Sequence, residues 1–459
     1  AAIGDWDSTT GKLTLHAGGQ GVHRHKMILG QMFGLAPECV RVTSKDGGGG
    51  FGPRHMMYPE FVMVCWAAKR LGRPVKWCGD RSEAFVTDYQ ARDLYTDAAL
   101  ALDTALFWEF LENTQGKALD KLKTRNPAEW QAKITGQFDK LVKRKGVLHV
   151  LKKGLPVDDA HFTLMSPAPL ASSAQKVHDN FAANIWSVTR QVHHSKANPN
   201  ESVDMVLFLN GLPILTLELK NAWTHQTARY HGQKQYRDRD ANQTLFHFGR
   251  ALVHMTADTD EVWMATKLSG AATWFLPFNK GHNEGAGNPP NPNGHKSAYL
   301  WEEVFSRTSI ANIIQHFVRL DGTSKLALNK RTLFFPRYHQ LDVVRKLIAH
   351  TGEHGVGQSY LIQHSAGSGK SNSITWAAYQ LIETYPITTD VPGAKGIEVP
   401  LFDSVIVVTD RRLLDKQLRE NIRDFSEVKN IIAPAFKSAD LKQSLEQGKK
   451  IIISCKLCN

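Results

Sequence analysis

The sequence predicts a chain of mixed α/β and α+β class, and three observations support that prediction. Beyond about Arg331, apolar strand-like runs alternate with helix-like runs, which is typical of a parallel sheet built from βαβ units. Between Ser202 and Lys220, two apolar runs flank Asn210-Gly211, a strong signal for a hairpin turn. The first ~95 residues are glycine-rich and have the periods of short strands and one helix. We therefore expect three segments, at residues 1–95, 96–330 and 331–459.

Composition narrows the classes of protein that fit. The 459 residues are 42% hydrophobic and 22% charged, as in an ordinary water-soluble globular protein. No run approaches the ~18 consecutive apolar residues that span a bilayer, and the N-terminus lacks the features of a secretion signal. Five cysteines do not form a disulfide framework in a chain of this length. We expect a cytoplasmic protein with no membrane partner.

The net charge is the strongest indication of a binding partner. A formal charge of +12 favours a polyanion, and nucleic acid is the first candidate. The alternative is a solvated basic surface without a dedicated ligand, and charge alone does not exclude it.

A glycine-rich loop follows the apolar run that begins at Val40. Gly47, Gly49 and Gly52 match G-x-G-x-x-G, the pattern of a dinucleotide-binding loop. That interpretation requires an acidic residue about twenty positions further on, and Asp80 lies too far along the chain. We therefore reject the dinucleotide site. After this loop the pattern becomes helical, with Leu106, Phe110 and Leu111 on one predicted face.

The predicted hairpin carries two carboxylates and a lysine. Asp204 lies early in its first strand, and Glu218 and Lys220 lie late in its second, on one face. The opposite face carries Leu215, Leu217 and Leu219. A tight turn brings Asp204 close to Glu218, although Pro213 leaves the register open because it cannot donate to a ladder.

This pattern suits a hard divalent cation. Asp204 and Glu218 are predicted to ligate Mg²⁺, with Lys220 beside the attacking water or the phosphate. The alternative is a solvated strand face with a cross-strand ion pair. We favour the nuclease interpretation because the aspartate, the hairpin and the apolar opposite face all fit it.

A second glycine loop indicates phosphate binding. "YLIQ" is a predicted strand, "HSAGSGKS" follows it, and a helical pattern comes next. The backbone of such a loop faces phosphate oxygens, its lysine reaches the β- and γ-phosphates, and its serine ligates Mg²⁺. The predicted residues are Gly367, Ser368, Gly369, Lys370 and Ser371, with Gln340 upstream as a reader of the adenine edge. His364 replaces the first glycine of the strict pattern, and a plain Gly-Ser linker is the alternative.

From about Thr104 to Ser454 the chain resembles the restriction (R) subunit of type I restriction-modification enzymes. The resemblance rests on "SVDMVLFLNGLPILTLELKN", "QKQYRDR", "FLPFNKG", "GAGNPPNP", "FFPRYHQLD", "YLIQHSAGSGKSNSI", "VIVVTDRRLLDKQL" and "GKKIIIS". It implies a PD-(D/E)xK endonuclease domain followed by a partial RecA-like parallel-sheet domain with a helicase-type phosphate loop. It also implies cleavage of double-stranded DNA, Mg²⁺ and ATP as cofactors, and modification (methyltransferase) and specificity subunits as partners.

The resemblance assigns a role to each matching position. Asp204, Glu218 and Lys220 correspond to the nuclease triad, and Gly369, Lys370 and Ser371 to the ATP loop. Gln340 corresponds to the adenine-reading glutamine.

Two departures from the family pattern stand out. Gln235 occupies the place of an auxiliary nuclease glutamine, but Arg239 stands where the family carries a tyrosine. Gln226 and Tyr230 have the family spacing but come earlier. The sequence reaches "IIISCKLCN" without a DExx motif, so we expect nucleotide binding without translocation along DNA.

The first ~93 residues resemble a different family, the large subunit of molybdenum hydroxylases. The matching stretches are "GGQGVHRHK", "VRVTSKDGGGGFGPR", "CWAAKRLGRPVKW" and "DRSEAF". Gln20 and Phe51 correspond to positions that line the molybdopterin site, whereas Pro53-Arg54 replaces the usual Gly-Lys. We expect a composite chain joined near Asp93 to Asp97. Alternatives to the nuclease are a molybdopterin-dependent oxidoreductase fragment and a non-catalytic DNA-binding remnant.

Overall fold

A computed structural model describes residues 2–18, 22–44, 58–77, 90–92, 97–170, 173–195, 198, 200–221, 224–322, 325–409 and 432–455. The chain divides into two compact units, residues 1–91 and 92–459. Gln20 and Phe51, the predicted molybdopterin-site positions, lie outside the described residues.

The first unit is a four-stranded sheet with helices packed on it. Its elements are β1 (Ala2–Asp7), β2 (Lys12–Ala17), α1 (Val22–Phe33), β3 (Val40–Thr43), α2 (Pro59–Leu71) and β4 (Val75–Trp77), with the strands in the order β3–β2–β1–β4. A Cβ on Gly4 would lie 2.5 Å from the Val64 carbonyl carbon, so a glycine is needed where α2 crosses β1. The sequence predicted one helix here, and the described part contains two, α1 before the glycine loop and α2 after it.

The second unit begins with helices and a small hairpin. These elements are α3 (Thr104–Arg125), α4 (Trp130–Lys145), α5 (Val147–Lys153), β6 (Leu155–Val157), β7 (Ala160–Phe162) and α6 (Gln175–Ala182). The helix predicted after the first segment is confirmed: Leu106, Phe110 and Leu111 are all buried on α3. Asp103 caps this helix, since its carboxylate accepts a hydrogen bond from the Leu106 amide at 3.2 Å.

A mixed sheet forms the centre of the second unit. Six of its strands are β8 (Trp186–His193), β9 (Ser202–Leu209), β10 (Leu212–Leu219), β11 (Val253–Ala257), β12 (Val262–Ala265) and β13 (Leu276–Pro277), in the order β13–β12–β11–β10–β9–β8. A short strand, β5 (Gln90–Arg92), lies at the boundary of the two units. Strands β10 and β11 are parallel, and the other pairs among the six are antiparallel.

The hairpin predicted around Asn210-Gly211 is confirmed. Both turn residues have positive φ, 51° for Asn210 and 79° for Gly211, as a two-residue hairpin turn of type I′ requires. The register shifts between Pro213 and Leu215, at the proline that left it open. Strand β10 is buried from Leu212 through Glu218 because it lies in the middle of the sheet.

Short helices and strands connect this sheet to the last part of the chain. They are a π-helix (Ala228–Gly232), α7 (Gln233–Asp238), a 3₁₀-helix (Thr244–Phe246), a π-helix (Leu300–Val304), α8 (Arg307–Asn312), a π-helix (Ile313–Phe317), β14 (Arg319–Asp321), a 3₁₀-helix (Leu328–Lys330) and β15 (Thr332–Phe334). None of the helices that the structure describes is long and apolar enough to cross a membrane.

The last part contains α9 (Tyr338–His354), α10 (Lys370–Leu381), β16 (Val405–Thr409), β17 (Ile432–Ala435), α11 (Ser438–Glu446) and β18 (Ile451–Cys455). Its strands are parallel, in the order β16–β18–β17, which confirms the predicted parallel sheet. The predicted strand "YLIQ" is wrong, because Leu361 is 96% exposed and the segment has no ladder partner among the described residues. The Tyr360 hydroxyl instead lies 3.0 Å from His350 Nδ1.

Candidate functional site

The three residues predicted from the hairpin lie together. Strands β9 and β10 pair Met205 with Leu217, so the next positions bring Asp204 opposite Glu218. Lys220 follows β10 directly, and its Nζ lies 3.6 Å from Asp204 Oδ2 and 3.5 Å from Glu218 Oε2. One ammonium group is therefore shared by two carboxylates.

The burial of these side chains bears on the two interpretations of this strand face, a cation site and a solvated surface. The Glu218 side chain is fully buried, while those of Lys220 and Asp204 are 7% and 24% exposed. This face is therefore not solvated, although the ion pair of that alternative is present between Lys220 and Asp204. The exposed residue is Leu219, at 42%, which the sequence placed on the apolar face; β10 ends there and the sheet no longer covers it.

Burial also changes the acidity of Glu218. Loss of hydration raises the pKa of its carboxyl to about 7, the positive charge of Arg239 opposes the shift, and the Asp204 carboxylate adds to it. A buried carboxyl beside a second carboxylate is typical of sites that bind a cation or move a proton.

Asp204 is oriented by neighbours that sequence reasoning missed. Its Oδ2 accepts a hydrogen bond from the Leu219 amide at 2.8 Å, and its Oδ1 accepts one from Gln191 Nε2 at 3.3 Å. Gln191 lies on β8 with φ of 48°, a left-handed conformation that costs a non-glycine residue ~1–3 kcal/mol. Nothing in the local sequence indicates this conformation.

Helix α7 contributes the predicted auxiliary glutamine. Gln235 Oε1 accepts a hydrogen bond from Lys220 Nζ at 2.6 Å, so the glutamine contacts the lysine of the site. Arg239, directly after α7, forms an ion pair with Glu218 Oε1. Tyr230, which has the family spacing from Gln226, is 67% exposed.

Three buried polar side chains contact one another close to the carboxylates. The Thr216 hydroxyl lies 2.8 Å from the Tyr236 hydroxyl and 2.8 Å from His254 Nδ1. All three residues are buried, and Tyr236 belongs to α7. These contacts tie α7 to β10 and β11, and sequence reasoning missed them because the residues are far apart in the chain.

The oxygen atoms of this site fit a hard divalent cation. Glu218 Oε2 is buried without a hydrogen-bond partner and lies on the Lys220 side of the carboxylate. Asp204 and Glu218 are two carboxylates rather than a larger cluster, and no group of three or more His, Cys, Asp or Glu residues suited to a metal occurs in the described ranges. Mg²⁺ commonly binds one or two carboxylates and keeps several waters.

The second glycine loop precedes α10 as predicted. Gly367 and Gly369 have φ of 74° and 82°, left-handed values that favour glycine. Lys370 is the first residue of α10, and its Nζ donates to the carbonyls of His364 at 2.7 Å and Ser365 at 2.9 Å. The lysine thus closes the loop on itself. Ser368 and Ser371 lie on either side of this Gly-Lys pair in the chain.

Gln340 contacts this loop from α9. Its Nε2 donates to the carbonyls of Ser368 and Gly369, each at 3.1 Å, and its Oε1 accepts from the Arg337 amide at 2.9 Å. A Cβ on Gly369 would lie 2.4 Å from Gln340 Nε2, so this glycine allows the contact. Reading an adenine edge requires Gln340 to exchange these partners.

Gly232, the last residue of the π-helix before α7, packs closely against β11. A Cβ on Gly232 would lie 1.8 Å from Thr256 Oγ1, and Thr256 is buried on β11 opposite Glu218. We expect Gly232→Ala to lower the free energy of unfolding by about 1–3 kcal/mol through overpacking. Displacement of α7 should also weaken the Gln235 contact with Lys220.

Urea unfolding measures the effect of this substitution. The matched control is Gly136→Ala, on an exposed position of α4 with no neighbour within 4 Å of the new Cβ. That change should stabilise the helix by about 0.5–1 kcal/mol. Equal stability of the Gly232→Ala variant and the original chain would contradict the packing argument.

Comparison with protein families finds three matching regions along the chain. Residues 1–106 match the molybdopterin cofactor-binding domain, residues 96–273 match the type I restriction enzyme R protein N terminus, and residues 339–456 match the SWI2/SNF2 ATPase. The chain therefore contains an N-terminal molybdenum hydroxylase fragment and a type I restriction R-subunit region, as the resemblances predicted, together with an SNF2-like ATPase piece.

Individual relatives agree with this division. The carbon monoxide dehydrogenase large chain of Hydrogenophaga pseudoflava is 37% identical over 99 residues, 22% of this chain and 12% of that protein. The MjaVIIIP endonuclease subunit of Methanocaldococcus jannaschii is 22% identical over 380 residues, 76% of this chain and 35% of that protein. The type I restriction enzyme HindI endonuclease subunit of Haemophilus influenzae is 24% identical over 255 residues, which are 53% of this chain and 21% of that protein. The chain thus spans about a third or less of the length of each of these relatives.

Proposed function

We propose that the restriction-like region is a Mg²⁺-dependent endonuclease that cuts double-stranded DNA, of the PD-(D/E)xK kind. The observation that supports this most directly is the buried cluster in which the Lys220 ammonium lies 3.5–3.6 Å from both Asp204 and Glu218. Two carboxylates and a lysine, held close together by the β9–β10 hairpin, suit the hydrolysis of a phosphodiester.

Each residue has a distinct role in the proposed reaction. Asp204 and Glu218 would hold Mg²⁺, which lowers the pKa of bound water and neutralises charge on the phosphate. Lys220 donates hydrogen bonds to the attacking water or to a phosphate oxygen. Gln235 orients the Lys220 ammonium through the 2.6 Å hydrogen bond. Gln191 and the Leu219 amide orient Asp204.

Mg²⁺-dependent nicking of supercoiled plasmid tests this function. We expect cleavage with Mg²⁺, none with EDTA, and at least ~10²-fold slower cleavage by Lys220→Ala, because loss of one preorganised charge removes that much. The matched control is Lys234→Ala on α7, whose side chain is 73% exposed and ion-paired with Asp238. DNA binding without cleavage in any divalent metal would favour the non-catalytic remnant instead.

We also propose that Gly367 to Ser371 bind ATP in a RecA-like setting, with Mg²⁺ at Ser371. The Gly-Lys loop has the positive-φ glycines and the helix N-terminus that phosphate binding uses, and the Lys370 ammonium lies against the loop carbonyls. The match of residues 339–456 to an ATPase supports this proposal. Nucleotide binding is the proposed activity of this loop.

Fluorescent ATP binding tests the loop directly. We expect Lys370→Ala to weaken binding at least ~10-fold, since a charge-assisted hydrogen bond to phosphate is worth ~1.5–3 kcal/mol. The control is Lys346→Ala on α9, an exposed lysine paired with Asp342. Equal affinities for the Lys370→Ala variant and the original chain would reject the loop as the ATP site.

The proposed partners follow from the same family region. Modification and specificity subunits would supply DNA recognition, and the net charge of +12 favours the DNA backbone. We propose the division 1–95, 96–330 and 331–459 for the three segments. The match of residues 1–106 supports the competing molybdopterin oxidoreductase, and molybdenum analysis of the purified chain separates the two.

A further inference from the structure

Arg239 is held in place by contacts that do not depend on Glu218. Its guanidinium is 7% exposed and donates to the Ser202 carbonyl at 2.6 Å and toward His194 Nε2 at 2.8 Å. Ser202 begins β9, and His194 directly follows β8. The arginine is therefore anchored at two neighbouring strands, independently of its ion pair with Glu218 on β10.

The surroundings of Arg239 fix the plane of the guanidinium. Burial and the nearby arginine lower the pKa of His194 to about 4, so its imidazole is neutral and Nε2 accepts the hydrogen bond. The Arg239 Cζ lies 5.2 Å from the ring centre of Phe246 and 5.9 Å from that of Tyr236. Cation–π contact with two buried rings restrains the group further.

This anchored arginine uses one particular oxygen of Glu218. Oε1 forms the ion pair with Arg239 Nη2. Oε2 has no hydrogen bond and lies 3.5 Å from Lys220 Nζ, the atom that also lies 3.6 Å from Asp204 Oδ2. A carboxylate held at one oxygen by a fixed group cannot rotate freely, so its second oxygen keeps one direction.

We propose that Arg239 is a positioning residue for the nuclease site: it holds Glu218 at Oε1, so that Oε2 is the oxygen presented to a divalent cation shared with Asp204. This inference rests on the proposed nuclease function. It assigns to the position after α7 a role in metal affinity, with no direct contact to the metal or to DNA.

Mn²⁺ binding to the complete chain, followed by electron paramagnetic resonance, tests the role without requiring cleavage. We expect Arg239→Gln to raise the Kd for Mn²⁺ at least tenfold and Arg239→Lys to give an intermediate value, since lysine restores the charge but cannot bridge Ser202, His194 and Glu218 together. The control is Arg237→Gln on α7, two residues before Arg239, whose guanidinium donates to the Gln233 side chain and the Thr273 carbonyl. That control should bind Mn²⁺ like the original chain.

The outcomes separate this inference from the proposed function. If the original chain and Glu218→Gln bind Mn²⁺ equally, or neither binds, the proposed metal site itself is wrong. If the original chain binds and a folded Arg239→Gln has the same Kd, only the positioning role is wrong. Circular dichroism melting reports folding, and should Arg239→Gln fail to fold, His194→Gln replaces it because it removes one anchor and leaves Glu218 and Arg239 in place. An unchanged Kd in His194→Gln together with an unchanged Kd in Arg239→Lys would then overturn the role.

Discussion

Glu218→Gln is expected to reduce Mg²⁺-dependent cleavage by about 10²–10³-fold while making the metal-free chain more stable at neutral pH. The buried carboxylate is the proposed cation ligand, and glutamine keeps its shape without the charge. The same burial that suits it to a cation makes its ionised form costly in the absence of one. Function and stability should therefore change in opposite directions at this position.

The pH dependence of stability follows from the direction of the shift. The folded-state pKa of Glu218, about 7, lies above the ordinary value of 4.5, so the folded state binds the proton more tightly. The associated stability is fully present below pH 4.5 and is lost as the pH rises through 7. At 1.36 kcal/mol per pKa unit, this amounts to about 3 kcal/mol. Glu218→Gln should not show that loss.

Urea unfolding in EDTA at pH 5 and pH 8 measures this difference, and plasmid nicking measures the loss of activity. The control is Glu112→Gln, on an exposed position of α3, which should leave both unchanged. Full cleavage by Glu218→Gln would remove this residue from the proposed site. An identical pH dependence in the variant and the original chain would show that Glu218 is not the group responsible.

Gly211→Ala is expected to lower the free energy of unfolding by about 3 kcal/mol or more, the largest effect on stability among these substitutions. The φ of 79° costs an alanine ~1–2 kcal/mol, and overpacking adds ~1–3 kcal/mol. The new Cβ would lie 2.4 Å from the Asp103 carbonyl oxygen and 2.8 Å from the Phe107 amide nitrogen. The Asp103 amide donates to the Gly211 carbonyl at 2.9 Å, so turn and helix start are joined here.

A second glycine separates the conformational cost of positive φ from the cost of overpacking. Gly287 has φ of 97°, and a Cβ there meets nothing within 4 Å. Gly287→Ala should therefore show the conformational cost alone, about 1–2 kcal/mol. Denaturation midpoints of both variants give the comparison. If Gly211→Ala is no more destabilised than Gly287→Ala, the contact between the turn and the start of α3 does not constrain the hairpin.

Elements whose signals are local were predictable from sequence. Asn210-Gly211 predicted the hairpin because positive φ at both positions suits these residue types. The spacing of Leu106, Phe110 and Leu111 predicted the buried face of α3. The apolar runs at Val405 and Ile451 predicted parallel strands. The "YLIQ" prediction was wrong because strand formation depends on a hydrogen-bonded neighbour, which a single run of residues does not reveal.

The candidate site was likewise predictable from sequence only in part. Its three charged residues lie within one hairpin, so alternation along two strands was sufficient to place Asp204, Glu218 and Lys220 on one side. Only the tertiary structure decided that Glu218 is buried, because burial comes from β11 and α7, which join the hairpin from elsewhere in the chain.

The sequence by itself thus determined the types of residue, the turn and the order of the regions, since those depend on near neighbours. The tertiary structure decided which groups surround each charge. Arg239 contacts Glu218 across a separation of 21 residues, and Gln191 contacts Asp204 across 13, with neither pairing visible in any local pattern. Electrostatic surroundings depend on distance in space, and so the environment of the site could be read only from the folded chain.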